Sequence, residues 1–272
     1  GTYLYVVSNN SLFILKAYPP EEAEVLSRFD FNGTLGKIFL NGNKLMILGS
    51  SASYSYEYYY RIPTFIGDKT LVEVYDISDR SNPVLARNFS ISGNYFDSRM
   101  INEYVYLVVS QPAYLIYDTL VLPKTYSLDG IEEIGASQIY YANVSDYSYA
   151  FTTVVAINIQ NDTQKPTHET FLLGATSCMY VSLNNIYITF WKGEKTLIYR
   201  IRIEEEKIEC GADGEVPGYV LNQFSMDEYE GYFRIATTTG QVARTFGEAS
   251  SQNHVYVLDM DLSIVGTLED LA

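Results

Sequence analysis

Residues 37–48 read KIFLNGNKLMIL: an apolar strand, a turn rich in asparagine and glycine, and a second, more apolar strand. The pattern recurs as SRMINEYVYLVV at 98–109, CMYVSLNNIYIT at 178–189 and FSMDEYEGYFRI at 224–235. A third strand, a polar turn and a weaker fourth strand follow each copy. Because repeated units of four antiparallel strands are typical of propeller blades, the sequence predicts an all-β fold, a β-propeller.

The spacing of the repeat predicts the blade boundaries within a single domain, 1–272. The predicted blades are blade 1 at 1–32, blade 2 at 33–92, blade 3 at 93–173, blade 4 at 174–217 and blade 5 at 218–272. Blade 1 lacks its innermost strand, so about four and three-quarter blades are present. Each blade has to cover the apolar face of its neighbour, and an uncovered face costs stability. We therefore expect this chain to be a fragment of a larger ring. A jelly roll or sandwich of hairpins is the alternative all-β arrangement.

Three segments resemble a known family. They are GTYLYVVSNNSLFILKAYPPEEAEVLSRFDFNGT at 1–34, VEVYDISDRSNPVLARNFSISGNYFDSRMINEYVYLVVSQP at 72–112 and FSMDEYEGYFRIATTTGQ at 224–241. The sequence is similar there to secreted archaeal and bacterial proteins whose β-propeller domain is distantly related to WD repeats. The resemblance covers nearly the whole chain and implies export, with a strand before the equivalent of Gly1 and further blades after that of Leu271. It implies no settled activity and no catalytic residues.

Composition and charge narrow the classes of partner. The chain has 33 acidic and 18 basic residues, a net charge of −15, and no cluster of Lys or Arg. Such a charge excludes nucleic acid as a natural partner, since phosphate binding needs clustered cations. No apolar run approaches the ~18–20 residues that span a bilayer, so we expect no membrane insertion by this segment.

Sequons and cysteines bear on the compartment. Asn-x-Ser/Thr sequons occur at Asn9, Asn32, Asn88, Asn143 and Asn161, which are candidate glycosylation sites. They favour an extracellular or cell-surface location. Cys178 and Cys210 are either two buried thiols or, in an exported protein, a disulfide between the first and last strands of blade 4.

An inventory of reactive side chains gives no catalytic set. His168 and His254 both flank turns and are predicted to be solvated. The acidic turns at 226–231 and 259–263 are consistent with hairpin turns or, alternatively, with a calcium site. No nucleotide-binding, zinc-protease or nucleophile-elbow motif occurs, so we expect no cofactor and no metal. The inventory favours a protein that is not an enzyme.

The connections between the second and third strands of blades 2 and 3 are long, at 51–69 and 112–151. We expect both on one face of the propeller, with a short helix at 128–138, and together they hold twelve of the 26 tyrosines. The candidate ligand-binding residues are Tyr54, Tyr56, Tyr58, Tyr59, Tyr60, Tyr140 and Tyr141. Tyrosine offers a large amphipathic contact area at low entropy cost, although the same rings could simply pack on one another.

These observations predict a non-catalytic extracellular or cell-surface scaffold that binds an unknown protein or glycan through a Tyr-rich loop face. Two alternatives remain open. One is a propeller hydrolase or lyase with a site at the central funnel, since the fold hosts many chemistries. The other is a structural module of a cell-envelope assembly.

Overall fold

The computed structural model describes residues 1–56, 63–116, 118–141, 149–174, 176–240 and 251–271. The described residues form 24 strands and three single-turn 3₁₀ helices, with no α-helix among them. The strands are β1 (Tyr3–Ser8), β2 (Ser11–Lys16), β3 (Glu24–Asp30), β4 (Thr34–Asn41), β5 (Lys44–Tyr56), β6 (Pro63–Asp76), β7 (Val84–Ser92), β8 (Asn94–Ile101), β9 (Tyr104–Pro112), β10 (Leu115–Ile116), β11 (Thr119–Leu120), β12 (Lys124–Ser127), β13 (Gly130–Glu133), β14 (Ile139–Tyr141), β15 (Ala150–Asn158), β16 (Thr167–Leu173), β17 (Cys178–Val181), β18 (Asn185–Lys192), β19 (Lys195–Glu204), β20 (Lys207–Pro217), β21 (Met226–Tyr229), β22 (Tyr232–Thr239), β23 (Gln252–Leu258) and β24 (Ile264–Leu271). In this part of the chain, no helix has the length and apolar character to cross a membrane.

The chain divides into two compact units. Unit 1 comprises Gly1–Ile139 and Thr153–Pro166, and unit 2 comprises Tyr140–Thr152 and Thr167–Ala272. In unit 1 the strand orders are β1-β2-β3, β13-β12-β7-β6-β5-β4 and β15-β9-β8, with a small β10-β11 hairpin. In unit 2 they are β17-β18-β19-β20 and β21-β22-β23-β24, with β14 beside β16. The all-β prediction is confirmed, and the last two sheets have the four antiparallel strands that the repeat predicts.

The six-stranded sheet of unit 1 is apolar on both faces. Leu45 and Ile47 of β5 point to one side and pack with Leu12 and Ile14 of β2. The intervening Met46 and Leu48 point to the other side, into a separate cluster with residues of β9 and β15. This alternation is the period of two of a strand, and it buries the sheet between two neighbours.

In unit 2, a polar junction joins the two four-stranded sheets. Tyr187 of β18 is fully buried, and its ring stacks on Phe233 of β22 with centroids 4.0 Å apart. The Tyr187 hydroxyl donates a hydrogen bond to Glu228 Oε2 at 2.7 Å, and Ser182 Oγ (2.8 Å) and Asn185 Nδ2 (3.0 Å) donate to the same oxygen. Burial, followed by the bond to Glu228, raises the pKa of Tyr187 far above its ordinary value. Three donors thus compensate the desolvation of one carboxylate.

The structure corrects the predicted connection at 51–69. Strand β5 continues to Tyr56 and β6 starts at Pro63, and the two stay paired from Ser51↔Lys69 to Tyr56↔Pro63. The alternation of serine and tyrosine in SASYSY is itself a strand pattern, and tyrosine favours strands. A strand extension therefore replaces most of the predicted loop.

The predicted helix at 128–138 is also wrong. Residues Gly130–Glu133 form β13, which pairs antiparallel with β12, and only Ala136–Gln138 form a single 3₁₀ turn. Gly130 adopts a positive φ of 131° at the turn of this hairpin, a conformation that glycine accepts readily.

Substitution of Gly49 in β5 tests the packing of the six-stranded sheet. A Cβ at this position would lie 2.3 Å from Cε1 of Phe31 and 2.6 Å from the carbonyl oxygen of Thr34. We expect Gly49→Ala to lower the free energy of unfolding by about 1–3 kcal/mol, measured by urea denaturation. Gly36→Ala is the control, because its nearest contact is the Leu48 carbonyl oxygen at 3.4 Å. Equal stability of the two variants would contradict this packing.

Substitution of Tyr187 tests the junction in unit 2. Tyr187→Phe keeps the ring stacked on Phe233 but removes the hydrogen bond to the Glu228 carboxylate. We expect it to lower the free energy of unfolding by roughly 1.5–3 kcal/mol, the range for hydrogen bonds to charged groups. Tyr199→Phe is the matched control, since Tyr199 is also buried and stacked, on Phe190, and its hydroxyl has no hydrogen bond in the described structure. A Tyr187→Phe protein no less stable than the control would show that the Tyr187–Glu228 hydrogen bond does not stabilise the fold.

Candidate functional site

An added hairpin extends one edge of the six-stranded sheet. Strands β12 and β13 (Lys124–Glu133, the outer hairpin) come from the predicted 112–151 insertion, and β12 pairs with β7 through Thr125↔Ile91 and Tyr126↔Ser90. The Lys124 amide also donates to Ser92 Oγ at 2.7 Å. The described part of this insertion is therefore largely paired strand, and one piece of it continues a sheet.

A solvent-open groove of about 310 Å³ lies beside the outer hairpin, all of it within unit 1. The side chains that carry its chemistry are Asn32, Leu71, Glu73, Asn88, Ser90 and Tyr126. Five of them share one sheet face, because the register pairs Leu71 with Ser90, Glu73 with Asn88, and Ser90 with Tyr126. The sixth, Asn32, follows β3.

An aromatic ring and an apolar tip form one wall of this groove. The Lys69 ammonium lies 3.5 Å from the centroid of the Tyr126 ring, and Lys69 is not among the lining residues. This cation–π contact holds the half-buried ring in place from one side. Leu128, at the tip of the outer hairpin, is 92% exposed although it is apolar.

The polar side chains of Glu73, Asn32 and Asn88 face the groove. Glu73 is half-buried and accepts a hydrogen bond from the Tyr75 hydroxyl at 2.7 Å. Burial, and then this bond, raise the pKa of Tyr75 well above its ordinary value, so the phenol stays a donor. The side-chain amides of Asn32 and Asn88 make no hydrogen bond to any residue that the structure describes. Glu73 is the only charged residue of the lining.

The seven predicted tyrosines lie in two strands and in a segment outside the described residues. Tyr54 and Tyr56 lie in β5, whereas Tyr58, Tyr59 and Tyr60 lie outside the described residues. Tyr140 and Tyr141 lie in β14, in unit 2, where Tyr140 stacks on Phe171 at 5.4 Å between centroids. Sequence reasoning missed Tyr126 as a site residue, although the alternating KTYS segment on which it lies was an available strand signal.

Four of the five sequon asparagines are exposed: Asn9, Asn32, Asn88 and Asn161. Asn143 lies outside the described residues. Asn161 Oδ1 accepts bonds from Thr163 N and Thr163 Oγ1, at 3.1 and 2.9 Å, so its amide is engaged in a local turn. Asn32 and Asn88 are the two that line the groove.

The predicted disulfide is wrong, because Cys178 and Cys210 are free thiols. They lie in β17 and β20, the opposite edges of a four-stranded sheet, with β18 and β19 between them. At about 4.8 Å per strand, their separation far exceeds the ~7 Å Cα limit for a disulfide.

His254 also differs from its prediction, because it is buried. Its Nε2 lies 2.8 Å from Thr239 Oγ1, and its Nδ1 accepts from the Asp270 amide at 3.3 Å. His168 is half-buried in β16. Burial among partners gives His254 a structural part in the last sheet.

The acidic turns hold structural bonds as well. Glu228 accepts the three hydrogen bonds of the unit 2 junction, and Asp227 pairs with Arg234. Asp259 Oδ1 accepts from the amides of Asp261 and Ser263, which is an ordinary turn. Across the described ranges, no three His, Cys, Asp or Glu side chains are placed to hold a metal ion.

Comparison with known proteins places the chain in a family. Two uncharacterized proteins are similar to it: one of Methanocaldococcus jannaschii, 25% identical over 97% of this chain, and one of Archaeoglobus fulgidus, 22% identical over 94%. The alignments cover 50% and 48% of those proteins, so the chain spans about half the length of these curated relatives. The crystal structure of a functionally unknown protein from Desulfotomaculum acetoxidans aligns over 98% of this chain and 95% of its own, with 9% identity and a TM-score of 0.27, too low to support an argument. The Beta propeller domain family matches residues 1–272, and the chain belongs to that family.

Proposed function

We propose that this protein is a non-catalytic binding scaffold, extracellular or on the cell surface, and that the outer hairpin and its groove form the ligand-binding surface. One observation carries the proposal: an insertion that the repeat does not require builds a groove at the edge of a sheet whose own core is complete. Insertions on a rigid scaffold are where binding residues concentrate.

Polarity at the groove supports binding rather than packing. A segment that served only to cover the sheet edge would turn its apolar side chains inward. Here Leu128 and Ile131 of the outer hairpin point to solvent instead, and the exposed side-chain amides of Asn32 and Asn88 stay available to a ligand at the groove. Apolar side chains exposed next to available polar groups are consistent with a surface that receives a partner.

The exposed sequon asparagines support the proposed location. Asn9, Asn32, Asn88 and Asn161 are all accessible to a modifying enzyme, as surface acceptors in an exported protein should be.

Replacement of the outer hairpin tests the proposal. Residues 124–133 are exchanged for a Gly-Ser segment of equal length, and the protein is immobilised and exposed to envelope and culture-fluid fractions of the source organism. We expect the unaltered protein to retain a specific component, and the replacement to lower its retention by at least about tenfold, as for loss of a binding hot spot. The bound component should be released chemically unchanged, as shown by mass spectrometry.

Trp191→Ala serves as the control, because Trp191 is an exposed aromatic residue of unit 2. Circular dichroism melting must show that both variants keep a cooperative transition. Equal retention by the hairpin replacement and the unaltered protein would refute the proposed surface, and conversion of the retained component would refute a non-catalytic role.

A further inference from the structure

We propose that the groove beside the outer hairpin binds a neutral saccharide. This inference rests on the proposed binding function and names its ligand class. It concerns the site formed by Tyr126, Glu73, Asn88 and Asn32.

The floor of the groove offers a row of hydrogen-bonding groups on an otherwise flat sheet. Glu73 and Asn88 are directly opposed across β6 and β7, and Ser90 follows two residues along the same face. One carboxylate oxygen of Glu73 is engaged by Tyr75, which orients the carboxylate. A carboxylate acceptor, an amide with both donor and acceptor, and a hydroxyl together match the mixed donors and acceptors of vicinal hydroxyl groups.

The wall supplies the apolar part of the recognition. The ring of Tyr126 is fixed from one side by Lys69 and contributes to the groove lining, and Leu71 and Leu128 lie nearby in the same lining. A pyranose ring has an apolar C–H face and a polar rim, so it needs an aromatic wall beside a polar floor. The two requirements meet here within one groove.

Charge and size narrow the ligand further. Glu73 is the single charged lining residue, and the chain as a whole carries a net charge of −15, so the groove disfavours sulfated, phosphorylated or uronic-acid chains. A volume of about 310 Å³ is at the lower end for small-molecule sites, so the groove holds a short segment of a chain and leaves the rest in solvent.

Two sources of saccharide fit the same chemistry. One is a free oligosaccharide or polysaccharide. The other is a glycan of the protein itself, because Asn32 and Asn88 are sequon asparagines that line the groove with unpaired amides. In the second case the attached sugar would lie against Tyr126.

The test for a free ligand uses protein made in a host without N-glycosylation. Mannopentaose, cellopentaose and chitopentaose are titrated by isothermal calorimetry and by NMR, and trigalacturonic acid serves as the anionic comparison. We expect at least one neutral oligosaccharide to bind at micromolar to millimolar concentration and the anionic one not to bind. Tyr126→Ala and Asn88→Ala should each weaken binding by about tenfold.

Matched variants separate loss of binding from loss of structure. Tyr229→Ala removes an exposed tyrosine outside the groove that also contacts a cation, Arg234, and should leave binding unchanged. Glu73→Gln keeps an acceptor for Tyr75 and leaves the outer hairpin untouched, so weaker binding by this variant cannot be attributed to a detached hairpin. Binding that is insensitive to Tyr126, Asn88 and Glu73 would place the sugar elsewhere and overturn the proposal.

The second arm examines protein purified from its native source by peptide mass spectrometry. A glycan at Asn32 or Asn88 whose enzymatic removal changes the fluorescence of unaltered protein, but not of Tyr126→Ala, supports an attached ligand. If no neutral oligosaccharide binds and neither asparagine is modified, the proposal is refuted. If the hairpin replacement nevertheless abolishes retention of a protein partner, the binding function stands and only the saccharide class fails.

Discussion

Burial of both faces of the six-stranded sheet at β5 is the constraint on which the structure depends. In the six-stranded sheet, successive residues of β5 alternate between two separate apolar clusters, one shared with the first sheet and the other with β9 and β15. At β5 this sheet is apolar on both faces, and that part of it is stable only while neighbours cover both sides. The same requirement explains why repeated units, each unable to fold alone, succeed in series.

The groove follows from a difference in width between neighbouring sheets. The first sheet has three strands, whereas the next has six because the outer hairpin lengthens it. In the wider sheet, Leu45 and Ile47 of β5 are buried against β2 of the first sheet. On the same face, β7 presents the polar side chains of Asn88 and Ser90. The polar side chains therefore lie where the first sheet no longer covers this face, and the outer hairpin borders that exposed region.

Much of the fold could be predicted from patterns within short segments of sequence. Contacts between segments far apart in the chain could not be predicted in this way. The apolar repeat in KIFLNGNKLMIL identified paired strands because both partners and their turn lie within twelve residues. The Tyr126↔Ser90 pairing joins residues far apart in sequence, and nothing in either segment indicates the other. Tyr126 was therefore one tyrosine among many, and the roles of Glu228 and His254 depended in the same way on partners supplied by other strands.

The outer hairpin contacts the sheet through two residue pairs, the Ser92 hydroxyl and the Lys69–Tyr126 cation–π contact, whereas the apolar clusters lie under other strands. Its sequence can consequently drift without disturbing the packing that keeps the sheets together. Exchange of the ten residues at 124–133 would therefore change the wall of the groove without changing the apolar clusters. For the same reason, this hairpin is a natural position for a randomised library on an otherwise constant framework.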